Sequence, residues 1–172
     1  TDRRQRQMCI RDRPLLEAEV LLGWVLGRDR VFLKSHGEVV VAPEAAELYT
    51  ASIGQSRSRV PVAYIRGFKV WDGCRIEVNA SVLIPRDETE ILVQRIGEWG
   101  RGRIDSFLDL GTGSGCITVA LARRFPRAVP TAVDISEAAL RVARKNFNLH
   151  QIRVQVYRSD LLEGVSPHSE FD

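Results

Sequence analysis

Short apolar runs and amphipathic stretches alternate along the second half of the chain. Ser106–Leu110, Val129–Asp134 and residues 152–157 predict strands, because each run is short, largely apolar and followed by turn residues. Between them, residues 116–125 and 136–148 have the spacing of amphipathic helices. Strands that alternate with helices on this scale predict a parallel sheet with right-handed crossovers, so the expected fold class is α/β.

Helical spacing also marks the first part of the chain. Pro14–Leu26 is densely apolar, with Pro14 suited to a first helical turn and Gly27 suited to a C-terminal cap. Residues 43–55 predict a second helix with one apolar side. Since neither helix can bury its apolar side alone, residues 14–60 are expected to form a small helical domain.

The period of the pattern changes between residues 61 and 83. Apolar residues from Tyr64 to Trp71 lead to Asp72-Gly73, a dipeptide typical of tight hairpin turns. Residues 75–79 then alternate strictly between polar and apolar side chains. The segment 61–83 is therefore predicted to be a β-hairpin that links the helical domain to the sheet.

A further helix is expected to open near Asp87 and to continue to about Trp99. Asp87 and Glu90 have the spacing of a capping box, with Asp in place of the usual Ser or Thr. This helix and the alternating elements after it assign residues 84–172 to one doubly wound domain. We expect only the first three parallel strands of its sheet to be present.

Charge separates the first 13 residues from the rest. The chain has a formal net charge of +3, and residues 1–13 hold five Arg and two Asp, so the whole excess lies there. The neutral remainder gives no support for a face that follows nucleic-acid phosphates. We interpret residues 1–13 as an artefact or a disordered leader; a basic arm that binds RNA is the alternative.

The cysteines and histidines indicate reduced thiols and no metal centre. Cys9, Cys74 and Cys116 lack the C-x-x-C spacing of zinc or redox sites, and no histidine has a paired ligand nearby. With no secretory signal, this favours a cytoplasmic protein. Cys116 has no positioned histidine, which favours packing over nucleophilic chemistry. No apolar run approaches the ~18 residues of a membrane span, so no membrane partner is expected.

A glycine-rich turn carries the binding chemistry. It comprises Gly111, Thr112, Gly113, Ser114 and Gly115, between a predicted strand and a predicted helix. Such glycines accept positive φ and leave room for a ligand to approach the backbone. The third glycine falls one residue earlier than in the G-x-G-x-x-G pattern of dinucleotide sites. Asp109, two residues before the turn, would repel a pyrophosphate and would suit a cationic ligand. A tight turn without a ligand is the alternative.

Two acids follow the second and third predicted strands. Asp134 ends the second strand, where an acid of a doubly wound fold accepts hydrogen bonds from ribose hydroxyls. A helix cap is the alternative for Asp134, although Ser136 is better suited to that position. Asp160 follows the third strand at the same edge of the sheet, and ordinary turn chemistry is its alternative.

The motifs resemble those of a known family. Residues 107–115 (Phe-Leu-Asp-Leu-Gly-Thr-Gly-Ser-Gly) resemble the first motif of class I S-adenosylmethionine-dependent methyltransferases. Residues 61–67 (Pro-Val-Ala-Tyr-Ile-Arg-Gly), 83–90 (Leu-Ile-Pro-Arg-Asp-Glu-Thr-Glu) and 132–136 (Ala-Val-Asp-Ile-Ser) are more selective. In this order they resemble the peptide chain release factor glutamine methyltransferases.

The resemblance implies S-adenosyl-L-methionine as the cofactor. It also implies an N-terminal helical domain that recognises the substrate, followed in the chain by a Rossmann-like class I methyltransferase domain. Gly111 to Gly115 would wrap the methionine part of the cofactor, and Asp134 would hold the ribose. Asp160 and Leu161 would lie along the adenine. Pro85 and Arg86, with Ile84, would cover the cofactor side of the active site.

The sequence departs from the family pattern in three places, one of which, Val70-Trp71 in place of the usual aromatic pair, is a packing change. Asp87 stands where a proline is usual. More importantly, the family's Asn-Pro-Pro-Tyr substrate motif follows the fourth strand, and Phe171 and Asp172 resemble the first residues of that strand. We therefore expect the motif to lie beyond Asp172, so that this piece holds no catalytic residue and has little activity. The missing fourth strand would also leave an exposed sheet edge, which lowers the solubility of the piece.

The resemblance implies methylation of a glutamine side-chain amide in a release factor by the full-length protein. A release factor is then the expected partner, nucleic acid is not required for binding, and a monomer is expected. A nucleic-acid N-methyltransferase, a nicotinamide-dependent dehydrogenase and a non-catalytic cofactor-binding module remain as alternatives.

Overall fold

The computed structural model describes residues 14–100, 103–163 and 171. The predicted leader, residues 1–13, and the final residue lie outside the described residues. The chain divides into two compact units after Arg66, which is within the predicted linker segment 61–83. We call them the helical unit, up to Arg66, and the α/β unit, from Gly67 onward.

The helical unit contains four helices among its described residues. Helix α1 (Pro14–Leu26) packs against α2 (Arg30–Ser35), α3 (Pro43–Arg57) and α4 (Val62–Arg66). Leu21 of α1 is fully buried at the centre of this packing. The predicted helices α1 and α3 are confirmed, and α3 continues two residues further than expected.

The short helices α2 and α4 were not predicted. Helix α2 has an N-cap, Asp29, whose side chain accepts a hydrogen bond from the Phe32 N–H at 2.8 Å. Residues 62–66 lie within the predicted hairpin segment 61–83 but form the helix α4. The carbonyl of Pro61 accepts the N–H groups of Tyr64 and Ile65, which closes a helical turn before the strand begins.

The predicted hairpin turn is confirmed in the α/β unit. Strand β1 (Phe68–Trp71) pairs antiparallel with β2 (Cys74–Glu77), and Trp71 lies opposite Cys74. The two residues between them, Asp72 and Gly73, have positive φ angles of 47° and 69°. This is the conformation that a two-residue hairpin requires of both central residues.

Helix α5 (Thr89–Gly100) follows the hairpin, but the predicted capping box at its start is wrong. The Asp87 carboxylate binds the Lys69 ammonium, with Oδ1 and Nζ 2.6 Å apart. The Glu90 carboxylate accepts the Asp72 N–H at 2.9 Å. Both acids therefore bind the hairpin, which offers them partners that the local sequence does not reveal.

The predicted parallel sheet is confirmed, with strands in the order β3-β4-β5. Its elements in chain order are β3 (Ser106–Leu110), α6 (Cys116–Arg124), β4 (Val129–Asp134), α7 (Glu137–Leu149) and β5 (Gln155–Arg158). Strand β5 begins three residues later than predicted. The Ile152 N–H instead donates to the Phe147 carbonyl at 2.9 Å and closes the end of α7.

The core of the α/β unit lies between the sheet and its two connecting helices. Ala132 and Val133 of the middle strand are buried against apolar residues of α6 and α7. The element order and the three-stranded parallel sheet make this a mixed α/β fold. Among the described residues, no helix is both long enough and apolar enough to cross a membrane.

Candidate functional site

The glycine turn, residues 111–115, connects β3 to α6 at the carboxyl edge of the sheet. The N–H groups of Gly111 and Thr112 both donate to the Val133 carbonyl at 2.9 Å. The Gly113 N–H donates to the Asp134 carboxylate at 2.9 Å, and the Gly115 N–H donates to the Thr112 carbonyl at 2.8 Å. The turn is thus fastened to the neighbouring strand by N–H groups that point into the protein.

The three glycines of the turn serve two different purposes. All have positive φ, at 71° for Gly111, 55° for Gly113 and 79° for Gly115. A Cβ at Gly111 would meet nothing within 4 Å, and one at Gly113 would meet only the Gly111 carbonyl oxygen at 3.9 Å. A Cβ at Gly115 would lie 2.6 Å from the Phe147 ring. Gly111 and Gly113 therefore border open space, whereas Gly115 lets α7 approach.

Asp109 holds the turn through two hydrogen bonds. Its side chain is buried, and its Oδ2 accepts the hydroxyls of Thr112 at 2.8 Å and Thr118 at 2.7 Å. Burial raises the pKa of the Asp109 carboxyl, although both hydroxyl hydrogen bonds act in the opposite direction. The sequence suggested that this acid faces a ligand; its hydrogen bonds instead hold the turn to the start of α6.

Asp134 lies at the end of β4 with its carboxylate beside the turn. Its Oδ2 accepts the Gly113 N–H and its Oδ1 accepts the Ser136 N–H, both at 2.9 Å. The cap of α7 is Ser136, whose hydroxyl accepts the Ala139 N–H at 3.3 Å. The carboxylate is thus fixed in place, and each oxygen keeps a lone pair for a further donor.

Asp160 and Leu161 lie in the loop after β5, at the same edge of the sheet. The Ser159 N–H donates to the Asp134 carbonyl at 3.1 Å, which ties this loop to the end of β4. The Ser159 hydroxyl donates to the Leu161 carbonyl at 2.8 Å. Both Asp160 and Leu161 are exposed. The structure therefore brings this loop next to the strand end that carries Asp134.

Pro85 and Arg86 are held by the hairpin. The Lys69 ammonium donates to the Pro85 carbonyl at 2.7 Å, and the Trp71 indole N–H donates to the Arg86 carbonyl at 2.8 Å. Pro85 is buried and Arg86 is exposed. These contacts fix the backbone of the segment on β1, and its position beside the glycine turn stays a prediction.

Asn146 is a site residue that the sequence analysis missed. This residue of α7 is fully buried, and its Nδ2 donates to the Ser114 carbonyl of the glycine turn at 2.8 Å. Its amide also contacts Glu77 of β2 twice. The available signal was an amide at helical spacing from Val142 and Ala143, which are buried apolar residues.

Cys116 is placed for packing rather than for nucleophilic chemistry. It is buried at the start of α6, and burial raises the pKa of its thiol to about 11. A thiol with this pKa is almost entirely protonated at pH 7. Within residues 14–100, 103–163 and 171, no group of three or more His, Cys, Asp or Glu could hold a metal ion.

Comparison with protein families identifies the class to which this site belongs. Residues 87–172 match the methyltransferase small domain, and residues 7–67 match the PrmC N-terminal domain. The second match begins inside the segment 1–13. Because the first match covers half of the chain, the chain belongs to the methyltransferase small domain family.

Several curated relatives are similar to most of this chain. A release factor glutamine methyltransferase from Koribacter versatilis is 38% identical over 160 residues, which are 92% of this chain and 57% of the relative. Another, from Chlorobaculum tepidum, is 40% identical over 161 residues, which are 89% of this chain and 55% of the relative. Over most of its length the chain is therefore similar to proteins named release factor glutamine methyltransferase. It spans little more than half the length of these relatives.

Solved structures with some similarity to this chain include other methyltransferases. An O-methyltransferase family protein from Burkholderia thailandensis is 25% identical, with a TM-score of 0.39 over 45% of this chain and 24% of that one. A methyltransferase from Geobacter sulfurreducens is 15% identical, with a TM-score of 0.40 over 77% of this chain and 58% of that one.

Proposed function

We propose that the whole protein transfers a methyl group from S-adenosyl-L-methionine to a glutamine side-chain amide in a peptide chain release factor. In this proposal the present chain supplies the cofactor cradle. The observation that carries it is the open space at Gly111 and Gly113 beside the fixed carboxylate of Asp134. The names of the relatives support the acceptor.

The direction of the turn's N–H groups supports this cofactor over a dinucleotide. A pyrophosphate needs free N–H donors at a helix start. The N–H groups of Gly111, Thr112, Gly113 and Gly115 are all donated within the protein. A turn of this kind offers space and acceptor groups to a ligand, which suits a positively charged sulfonium–amino-acid group better than a diphosphate.

The remaining residues have complementary tasks in the proposal. Asp134 accepts hydrogen bonds from ribose hydroxyls through its unused lone pairs. Leu161, which is 69% exposed, offers apolar surface for the adenine ring, with Asp160 beside it. Pro85 and Arg86 cover the cofactor side of the active site, with their backbone held by the hairpin.

The chemistry requires electrophile and acceptor to be held in line. When bound, S-adenosyl-L-methionine supplies a methyl group on a positively charged sulfur. An amide nitrogen is planar and weakly nucleophilic, so its orientation toward that methyl group decides the rate. This chain's residues bind and orient the cofactor, and we assign no catalytic residue to residues 1–172.

We further propose that the whole protein works as a cytoplasmic monomer.

The test is a methyl-transfer assay with the whole protein, S-adenosyl-L-methionine and a purified release factor. Peptide mass spectrometry should find one added methyl group on a glutamine side chain. Methylation of nucleic acid alone, or no glutamine modification in the release factor, would exclude the proposed acceptor.

A pair of acid variants tests the cofactor part of the proposal. Asp134→Ala should weaken binding of S-adenosylhomocysteine, because a hydrogen bond to a charged group contributes about 1.5–3 kcal/mol, or about 10- to 150-fold in affinity. The matched control is Glu98→Ala, which removes an exposed acid of α5 that pairs with Arg95. Equal affinities of the two variants would remove Asp134 from the cofactor site.

A further inference from the structure

Asn146 connects the glycine turn to the hairpin through one side chain. Its Oδ1 accepts the Glu77 N–H at 2.7 Å. Its Nδ2 donates to the Glu77 carbonyl at 2.9 Å and to the Ser114 carbonyl at 2.8 Å. The amide thus uses both of its N–H groups, and it does so without contact to solvent.

The hairpin presents Glu77 to this amide because of its pairing. Glu77 lies opposite Phe68, while the next residue, Val78, donates its N–H to the Gly67 carbonyl at 2.9 Å. In an antiparallel pair the backbone groups of alternate residues point away from the partner strand. The N–H and carbonyl of Glu77 therefore face α7, where Asn146 binds them as a neighbouring strand would.

The residue at the C-cap of α7 binds the same strand but not the turn. His150, one helical turn after Asn146, has its Nε2 2.8 Å from the Arg75 carbonyl. His150 can therefore serve as a control for the attachment of α7 to β2. Of these two residues, Asn146 alone adds a hydrogen bond to the turn that borders the open space at Gly111 and Gly113.

We propose that Asn146 is a positioning residue that sets the glycine turn for the cofactor and couples cofactor binding to the hairpin. This inference rests on the proposed function, because it concerns the same cofactor site. The physical reason is that the Ser114 carbonyl is buried and would lose its donor if Asn146 were shortened. The turn would then relax to hydrate that carbonyl or to find another donor.

The proposed coupling also predicts that cofactor binding affects Glu77, which Asn146 binds in the hairpin. If cofactor binding orders the turn, it must stabilise the hydrogen bonds of Asn146 with Glu77, since coupling between two sites is reciprocal. Glu77 and the glycine turn lie far apart in sequence, so this response needs a physical link. The hairpin also holds Pro85 and Arg86, which the proposed function places on the cofactor side of the active site.

The experiment measures S-adenosylhomocysteine binding by NMR titration of the full 172-residue chain, with Asn146→Ala and His150→Ala as matched variants. NMR titration remains quantitative for weak ligands. We expect Asn146→Ala to bind about tenfold more weakly than the wild type, within the range of typical coupling energies. His150→Ala should keep wild-type affinity, even where its melting temperature falls.

Hydrogen exchange supplies a readout that a purely structural residue would not change. In the wild-type chain, saturating S-adenosylhomocysteine should slow exchange of the Glu77 amide more than that of Val78, which bonds within the hairpin. The extra protection at Glu77 should be lost in Asn146→Ala and retained in His150→Ala. The wild-type comparison stands even if Asn146→Ala does not fold.

Three outcomes separate the possibilities. Equal affinity of Asn146→Ala and His150→Ala would overturn the positioning role, as would a Glu77 amide that does not respond to the ligand. If both observations hold as expected, the coupling is established. If the wild-type chain binds no S-adenosylhomocysteine at millimolar concentration, the proposed cofactor site itself fails and this inference fails with it.

Discussion

Gly115→Ala is the substitution that best separates packing from ligand binding in the glycine turn. The new Cβ would lie 2.6 and 2.9 Å from two carbons of the Phe147 ring and 3.3 Å from the Ala143 Cβ. Gly115 also has a φ of 79°, which an L-residue adopts at a cost. Both effects act in the folded state, so Gly115→Ala should lower the free energy of unfolding.

The magnitude follows from comparison with Gly111→Ala. Placing alanine at positive φ costs about 1–2 kcal/mol at either position. Only at Gly115 is there a collision, and forcing an extra methyl group into a packed core costs a further ~1–3 kcal/mol. We therefore expect a loss of about 1–2 kcal/mol for Gly111→Ala and about 2–5 kcal/mol for Gly115→Ala.

Urea unfolding followed by NMR measures these losses within the α/β unit. The Trp71 indole N–H is a suitable reporter, because Trp71 is buried and this group donates to the Arg86 carbonyl. Replacing the Phe147 ring with a leucine side chain, in a Gly115→Ala, Phe147→Leu double variant, should recover part of the lost free energy of unfolding. The effects of substitutions at two contacting residues do not simply add. Equal losses for the two alanine variants, or no recovery, would refute the proposed collision.

The same two variants should rank in the opposite order for ligand affinity. A Cβ at Gly111 extends into space that no protein atom occupies within 4 Å, so it competes with the ligand. Gly111→Ala should therefore weaken S-adenosylhomocysteine binding more than Gly115→Ala does, when both are measured well below their melting temperatures. Stability and affinity that fall together in both variants would contradict this division of roles.

Further predictions concern pH and capping. The Arg124 guanidinium, with Nη1 2.6 Å from Asp72 Oδ2, holds the pKa of Asp72 below its usual value of ~4. The pair therefore stabilises the fold fully above that usual value, and its contribution is lost as pH falls through the lowered pKa. Asp72→Asn should flatten that acid limb in pH-dependent urea melts. Burial raises the pKa of Asp109, so its contribution to stability falls as pH rises above ~4, and Asp109→Asn should remove this decline. Ser136→Ala should lower the free energy of unfolding by about 1 kcal/mol through loss of the α7 cap, and an unchanged urea midpoint would contradict this.

The sequence predicted the α/β elements well because their signals are local. The bounds of β3 and β4 and the start of α6 follow from apolar runs that end in glycine, acid or proline. The hairpin turn follows from Asp72-Gly73, whose backbone preference needs no tertiary context. The expected α/β class was likewise confirmed by the sheet order.

The errors arose where distant residues decide the outcome. Asp87 and Glu90 have capping-box spacing, yet their carboxylates bind Lys69 and the Asp72 N–H across the fold. In the sequence, Asn146 cannot be distinguished from other polar helix residues. Its role depends on Glu77, which lies 69 residues away in sequence. Contacts of this kind leave no periodic signal in one sequence.

The roles of individual glycines could not be read from the motif either. Three glycines in five residues indicate a ligand turn, but the motif does not show which of them borders the ligand and which borders α7. That distinction requires the position of the Phe147 ring, which is set by the packing of α7 on the sheet. The functional assignment of Gly111 and Gly113 remains a prediction until a ligand is measured.

The most direct test of the central claim is a binding competition at the glycine turn. The 15N-labelled chain is titrated with S-adenosylhomocysteine alone and then in the presence of excess NADH, with the amides of Gly111, Gly113 and Asp134 as reporters. We predict that S-adenosylhomocysteine shifts these amides and that NADH neither shifts them nor displaces the ligand. No shift with S-adenosylhomocysteine, or displacement by NADH from the same amides, would contradict the account.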